Sequence, residues 1–312
     1  MRIAIMGAGS IGGYFGGMLA RAGNQVTLIA RGDHLEAISQ RGLKVVRAEE
    51  EFTVRCDATD SPLQVGTVEL ALLTVKSYQN QQAIPAMKPM VGPKTTVLCL
   101  QNGIDTYQDA VAAFGKERVL PGAAYIEAGM QGPGVVTQTG SVVSIAVGEQ
   151  DGSISERGAA IADLLESSGI PTQLDRDIQK TLWTKFLFIA TLAGVTTLSR
   201  EEMAQLMPRP EWRSVIMGCL EEIERVGRAS GVNLEPNVVQ ETIEYMESSI
   251  DAMHASMHSD ILLGRPLELE ALNGAVVRAG KVANVPTPIN DVIYAMLKPY
   301  LLGRFDKLSS SQ

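Results

Sequence analysis

Cysteine, histidine and aromatic residues are scarce in this chain, and each scarcity narrows the classes of function open to it. Three cysteines, Cys56, Cys99 and Cys219, are an odd number at wide spacing; they argue against a disulfide framework and for a reducing compartment. The histidines are also three, His34, His254 and His258. The last two stand four residues apart, but their segment lacks the H-E-x-x-H pattern of a hydrolytic zinc helix, so metal chemistry has little support and a surface or cleft role is expected for them. Serine, cysteine and histidine form no recognisable nucleophile signature. There is no long Lys/Arg block, and the formal net charge is −8, which argues against a general nucleic-acid partner. Apolar runs such as residues 186–195 fall short of the roughly 20 residues that cross a bilayer. The first glycine turn begins at Gly7 and leaves no room for an export leader, so a cytoplasmic protein is expected.

What remains is ordinary globular material. The chain has 312 residues, 45% of them hydrophobic and 20% charged, enough to bury a large core and more in keeping with two domains than one. Residues 2–6 and 26–30 are short apolar runs separated by a helical stretch at 11–22, the order of a βαβ unit with parallel strands buried on both faces. Further strand candidates lie at 43–46, 52–56, 70–75 and 97–100, with a helix around 78–87; the alternation predicts an open, doubly wound α/β sheet. Between 119 and 147, Gly122, Gly129, Gly132, Gly134 and Gly140 punctuate β-rich segments and predict hairpins at the far side of that sheet. A helix at 155–168 and a short strand at 172–174 complete the first domain, residues 1–174. Residues 175–312 read as all-helical: 178–195 is largely apolar, Val215, Ile216, Cys219, Ile223 and Val226 fall at helical spacing ahead of Gly231, and Thr287-Pro288 starts a last helix. Met246, Met253 and Met257 serve as flexible core filler. The polar tail 309–312 is expected to fray.

Gly7-Ala8-Gly9-Ser10-Ile11-Gly12 matches G-x-G-x-x-G, follows a strand and opens a helix, the context in which that short pattern carries weight. The first glycine allows the tight turn, the second lets backbone approach a pyrophosphate, and the third lets the helix pack on the sheet, with the phosphates over unpaired helix N–H groups. A Rossmann-type NAD(P)-binding domain is therefore expected. Where an NAD site usually has an acidic ribose reader, the second strand ends Ile29-Ala30-Arg31; a guanidinium fork suits the phosphate of NADP better than a ribose hydroxyl. Asp33 lies one turn too late to reverse that.

Four further segments could carry chemistry. Lys76 and Asn102 follow strands at the end of the sheet where ligands gather, although a surface lysine and a simple Asn-Gly turn are open alternatives. Lys185 stands alone in the apolar Trp183-Thr184-Lys185-Phe186-Leu187-Phe188, where an ammonium needs a partner or a task unless it snorkels to solvent. Glu268 and Glu270 precede a helix start, where carboxylates are also favoured for purely local reasons, and only one needs to be chemical.

Taken in order, Gly7 to Gly12, the segment ending at Lys76, Gln101-Asn102-Gly103, Trp183-x-Lys185, Ser256-Met257 and Glu268 with Asn273-Gly274 make the chain resemble the ketopantoate reductase (2-dehydropantoate 2-reductase) family over nearly its whole length. The resemblance implies NADPH-dependent reduction of a small 2-oxo acid in pantothenate and coenzyme A synthesis, on a Rossmann domain joined to a helical domain like that of 6-phosphogluconate dehydrogenase-related reductases. It implies Lys185 as catalytic lysine, Glu268 as its partner and a substrate contact, Asn102 and Ser256 as substrate-positioning groups, and Lys76 at the cofactor and substrate crevice, with Asn102 also near the cofactor. One departure stands out: the family commonly has asparagines four and eight residues after the lysine, where this chain has Ile189 and Ala193. Reduction survives that exchange more easily than substrate identity does, so another 2-oxo or hydroxy acid remains an alternative, as does a non-catalytic NADP-binding regulator. The apolar helical stripes would serve a homodimer interface or a monomeric core equally.

Overall fold

A computed structural model describes residues 1–250 and 253–303; the tail expected to fray lies outside the described residues. The chain divides into two compact units, Met1–Gln101 with Thr106–Thr181, and Asn102–Asp105 with the residues from Leu182 onward. The first is α/β and the second all-helical, the fold class expected. The division falls within the first turn of the helix that begins at Ile178.

In the first unit, β1 (Arg2–Met6), α1 (Ser10–Arg21) and β2 (Gln25–Ile29) form the expected βαβ start. They are followed by α2 (Gly32–Arg41), β3 (Leu43–Val46), β4 (Glu51–Val54), β5 (Asp57–Thr59), β6 (Val68–Leu73), α3 (Asn80–Met87), β7 (Val91–Cys99), α4 (Gln108–Phe114), β8 (Val119–Gly132), β9 (Val135–Val147), α5 (Glu156–Ser167) and β10 (Thr172–Leu174). The strands lie in the order β4-β3-β9-β8-β7-β6-β1-β2-β5, with β10 beside β9. Within it, β5-β2-β1-β6-β7-β8 is a parallel, doubly wound set whose winding direction reverses between β1 and β6, the place where such sheets bind ligands.

The glycine-rich segment 119–147 forms one long antiparallel hairpin and not several. Its turn is Pro133-Gly134, and residues 140–142 bulge out of register, Ile126 facing Val143 and Glu127 facing Thr139. The hairpin carries β3 on the far edge of β9, so the sheet curls round and covers α1 on a second side. That explains the doubled glycines of α1: a side chain at Gly13 would strike Val136 and one at Gly17 would strike Val45, each at 2.7 Å, while Ile5 and Leu28 pack against its other face at Gly16. Every residue from Gly12 to Leu19 is buried. Helix α2 was not foreseen, because only Ala37 and Ile38 of its ten residues are buried; it is favoured instead by Asp33 in its first turn and Arg41 in its last, which complement the helix dipole.

The second unit packs α7 (Met203–Leu206), α8 (Pro210–Ala229), α9 (Val238–Ser248), α10 (Ser256–Leu262), α11 (Asn273–Ala283) and α12 (Pro288–Leu297) around α6 (Ile178–Ser199). The apolar run 186–195 is only the middle of α6, which has the length and composition to cross a bilayer but is mostly buried in the protein. Phe186, Leu187, Ala190 and Val195 meet Ile216, Cys219, Ile223 and Val226 of α8 and Ile293 and Leu297 of α12 in one core. The stripe anticipated on α8 thus faces inward, with Val215 at its margin.

One buried charge organises this core. Glu222 of α8 is 1% exposed, and its carboxylate accepts hydrogen bonds from the N–H groups of Ile289 (2.8 Å) and Asn290 (2.9 Å) and from Asn290 Nδ2 (2.8 Å). It therefore caps the first turn of α12, where N–H groups have no partner inside the helix. Glu222→Ala leaves those donors buried and unpaired and should lower unfolding stability by about 2–4 kcal/mol; a urea midpoint equal to that of the parent chain would contradict this assignment.

Candidate active site

In the first unit the winding reversal is held by Thr74, whose Oγ1 donates to the carbonyls of Gly7 (2.9 Å) and Met6 (3.2 Å). This ties the loop after β6 to the turn after β1. Gly7 has φ +103°, and a Cβ there would sit 2.7 Å from Val75 Cγ1; a side chain at Gly12 would collide with the Gly7 carbonyl and Thr74. Above Gly9, in contrast, nothing lies within 4 Å of a would-be Cβ. Gly9 is the N-cap of α1 without a side-chain cap, and the first amide to bond within the helix is that of Gly13, to the Gly9 carbonyl. Ser10 and Ile11 thus offer uncapped N–H groups over an open glycine backbone, which is the cradle a pyrophosphate requires. The residues present fit the dinucleotide.

Arg31 is exposed and is the N-cap of α2; among the described residues no hydrogen bond or ion pair engages its guanidinium. Lys76, half-buried, follows β6 and opens the short 3-10 turn Ser77–Gln79. The loop bearing it is held by Gln101 together with Asn80, and the second of these the sequence did not single out. Gln101 Nε2 donates to the Val75 carbonyl (2.6 Å) and to Asn80 Oδ1 (2.8 Å), while Asn80 Nδ2 donates to Asp109 (2.9 Å). Asn80 carries no motif that would have revealed it.

In the second unit, Asn102 is placed by its neighbours: Ile104 joins the helical core, and Asp105 pairs with Arg278 of α11 at 3.3 Å. Lys185 Nζ, on α6, donates to Asn102 Oδ1 at 2.9 Å. Burial of the ammonium pushes its pKa down to about 8, and the negative charge of Glu268 pulls it part of the way back. Glu268 is 6% exposed and sits in the turn ahead of α11, its carbonyl accepting from the N–H groups of Ala271 and Leu272. Glu270, the other candidate, is taken up at the surface by Lys298, by Arg278 (3.0 Å) and by the Tyr294 hydroxyl (2.8 Å). The structure thus separates the two glutamates that spacing could not.

Ser256 is the first residue of α10 and is exposed, next to the buried Met257. Ile189 and Ala193 continue the Lys185 face of α6, Ile189 half-buried and Ala193 within the core. Directly beside Ala193, Gly194 leaves room for Asn273, whose carboxamide would touch a Cβ there at 2.7 Å. Asn273 Nδ2 donates to Asn290 Oδ1 (2.9 Å) and reaches the Ala190 carbonyl (3.4 Å). His254 and His258 flank the Glu202 carboxylate at 3.5 and 3.4 Å, and among the described residues no group of three or more His, Cys, Asp or Glu could hold a metal ion.

The ketopantoate reductase PanE/ApbA family model matches residues 3–152 and the model of its C-terminal region matches residues 177–301. The chain belongs to the ketopantoate reductase family. It is similar to the 2-dehydropantoate 2-reductase of Lactococcus lactis subsp. lactis, at 30% identity over 94% of this chain and 96% of that protein. A PanE/ApbA family ketopantoate reductase from Ralstonia eutropha JMP134 matches it in structure with a TM-score of 0.89, at 30% identity over 96% of this chain and 98% of that one. A D-mandelate dehydrogenase, solved with NADH and anilino(oxo)acetate, matches with a TM-score of 0.87 at 28% identity over 96% and 98%. As a ketopantoate reductase family member the chain is an oxidoreductase using NAD(P) and acting on a 2-oxo or 2-hydroxy acid.

Lys185 is expected to titrate near pH 8, and because Glu268 raises its pKa, Glu268→Gln should move that titration to lower pH. Selective lysine NMR across a pH series reads both; a shift to higher pH in the variant would refute the coupling.

Proposed function

We propose that this chain is an NADPH-dependent reductase of 2-dehydropantoate, forming pantoate for pantothenate synthesis in the cytoplasm. The observation that carries this reading is Lys185, an ammonium with a lowered pKa, oriented by Asn102 and coupled to the buried Glu268. When bound, the reduced nicotinamide supplies the hydride to the carbonyl carbon. Lys185 stabilises the negative charge that develops on the carbonyl oxygen and gives that oxygen a proton, becoming a neutral amine that solvent reprotonates. A pKa near 8 suits this task, since the group is mostly charged at neutral pH and yields its proton more readily than an ordinary lysine. Asn102, accepting from Lys185 through Oδ1, keeps its amide N–H groups for the substrate carboxylate. Ser256 and Lys76 add polar contacts to substrate, and Glu268 holds the ammonium in its charged form or accepts from the substrate hydroxyl.

A second reading, the same chemistry on a different 2-oxo acid, is favoured by Ile189. It places an apolar, partly accessible side chain one helical turn beyond Lys185, and a D-mandelate dehydrogenase is among the structures similar to this chain. A panel of 2-oxo acids followed by nicotinamide absorbance separates the two: kcat/KM highest for 2-dehydropantoate supports the first, and preference for an aromatic or unbranched acid supports the second. Lys185→Ala should abolish turnover of every acid while leaving cofactor binding intact; full activity would refute the mechanism, and cofactor binding without turnover by the parent chain would favour a regulatory protein.

NADP is proposed over NAD on the strength of Arg31. Arg31→Ala should raise KM for NADPH by roughly tenfold or more, the scale of a lost charge-assisted hydrogen bond, and leave KM for NADH nearly unchanged. Equal effects on the two cofactors would remove Arg31 as the phosphate reader.

A further inference from the structure

His34 lies on α2, one turn beyond Arg31, and both of its ring nitrogens are engaged. The Gly134 N–H, in the turn of the β8–β9 hairpin, donates to Nδ1 at 2.9 Å. Nε2 lies 2.7 Å from the Ala8 carbonyl oxygen, an atom that can only accept. Nδ1 must therefore be the bare nitrogen and Nε2 the protonated one, so a single neutral tautomer satisfies both contacts.

The Ala8 carbonyl belongs to the same rigid peptide plane as the Gly9 N–H, so its direction sets the direction of that amide. This plane lies between Ala8 and Gly9, and the missing side chain of Gly9 makes its rotation cheaper. The Ala8 N–H, held by the Ile29 carbonyl at 3.0 Å, belongs to the preceding plane and leaves the Ala8–Gly9 plane free to turn. Thr74 likewise anchors only the Met6 and Gly7 carbonyls. The imidazole is thus the restraint on the Gly9 amide at the mouth of the cradle.

The hairpin end of the clamp is itself fixed. The Gly134 carbonyl accepts from the Lys44 N–H of β3 at 2.9 Å, and Gly134, at φ +77°, lies so close to α2 that a Cβ there would be 3.0 Å from that of Ala37.

We propose that His34 is a positioning residue of the dinucleotide site: its neutral ring braces the pyrophosphate-binding turn against the β8–β9 hairpin and so fixes the Gly9 amide for the anion. The inference rests on the cofactor reading above. It also gives the long hairpin a part in cofactor binding, since the Gly134 N–H of the hairpin turn donates the hydrogen bond that leaves Nδ1 bare.

Two substitutions divide the ring into its halves. In His34→Gln the amide nitrogen falls near the place of Nε2 and keeps the donor to Ala8; in His34→Asn the amide oxygen falls near the place of Nδ1 and keeps only the acceptor for Gly134. Dissociation constants are measured by fluorescence or calorimetry for NADPH and for adenosine 2′-phosphate, which has the phosphate assigned to Arg31 but no pyrophosphate. Circular dichroism and a melting curve establish that each protein is folded.

His34→Asn should weaken NADPH by roughly five- to tenfold, the scale of one hydrogen bond, with adenosine 2′-phosphate unchanged, and His34→Gln should stay within about twofold of the parent, a change too small to count as a lost bond. NADPH binding unaltered in His34→Asn would overturn the proposal, as would equal loss of both ligands, which marks a residue that only stabilises the unit. Failure of the parent chain to bind NADPH, at concentrations where adenosine 2′-phosphate is also tested, would instead overturn the cofactor reading beneath it.

Discussion

The first unit depends on how closely helix α1 approaches its surroundings. With glycine at positions 12, 13, 16 and 17, the helix lies against Ile5 and Leu28 on one side and Val45 and Val136 on the other. A single layer of parallel strands would need glycine on one face only. The second glycine face lets the hairpin and β3 close over the helix, and that closure brings the hairpin turn to His34 and the glycine loop. Burial on all sides offsets the conformational entropy that a glycine-rich helix loses on folding.

In the helical unit the corresponding constraint is electrostatic. Placing Lys185 in an apolar helix strips water from its ammonium and drives its pKa down. Glu268 limits that fall by its charge, and Asn102 holds the ammonium in place by accepting a hydrogen bond. Both supports come from outside α6, so they act only if α6 and α11 keep their distance. Gly194 admits Asn273 to the α6 backbone, Asn273 is held by Asn290, and Asn290 by Glu222. A second buried carboxylate, remote from the lysine in sequence, thereby takes part in the geometry on which its proton affinity depends.

Much of this was legible in the residues. Gly7 to Gly12 after a strand predicted the nucleotide turn, Thr287-Pro288 predicted the start of α12, and the helical stripe of α8 predicted its buried face, because periodicity reports burial directly. Lys185 stood out because a lone cation in an apolar helix demands a reason. The single long hairpin was not legible: glycines that suit bulges and close packing look the same in sequence as glycines that suit turns. Nor was helix α2, whose few apolar residues leave almost no periodic signal. Asn80, Glu222 and the two-sided engagement of His34 left no mark at all, since a polar residue acquires such a role only from partners distant along the chain.

By itself the sequence determined local matters: where most strands and helices begin, which turn has the glycine pattern that suits a pyrophosphate, and which lysine stands alone in an apolar helix. Those follow from backbone sterics and from the preference of apolar side chains for burial, both of which act over a few residues. Only the tertiary structure gave Glu268 and Glu270 their different surroundings, lowered the proton affinity of Lys185, and set the partners of both ring nitrogens of His34. Charge interactions and hydrogen bonds depend on distance in space, and for Lys185 and Asn102 or His34 and Gly134 that distance exists only after the chain has folded.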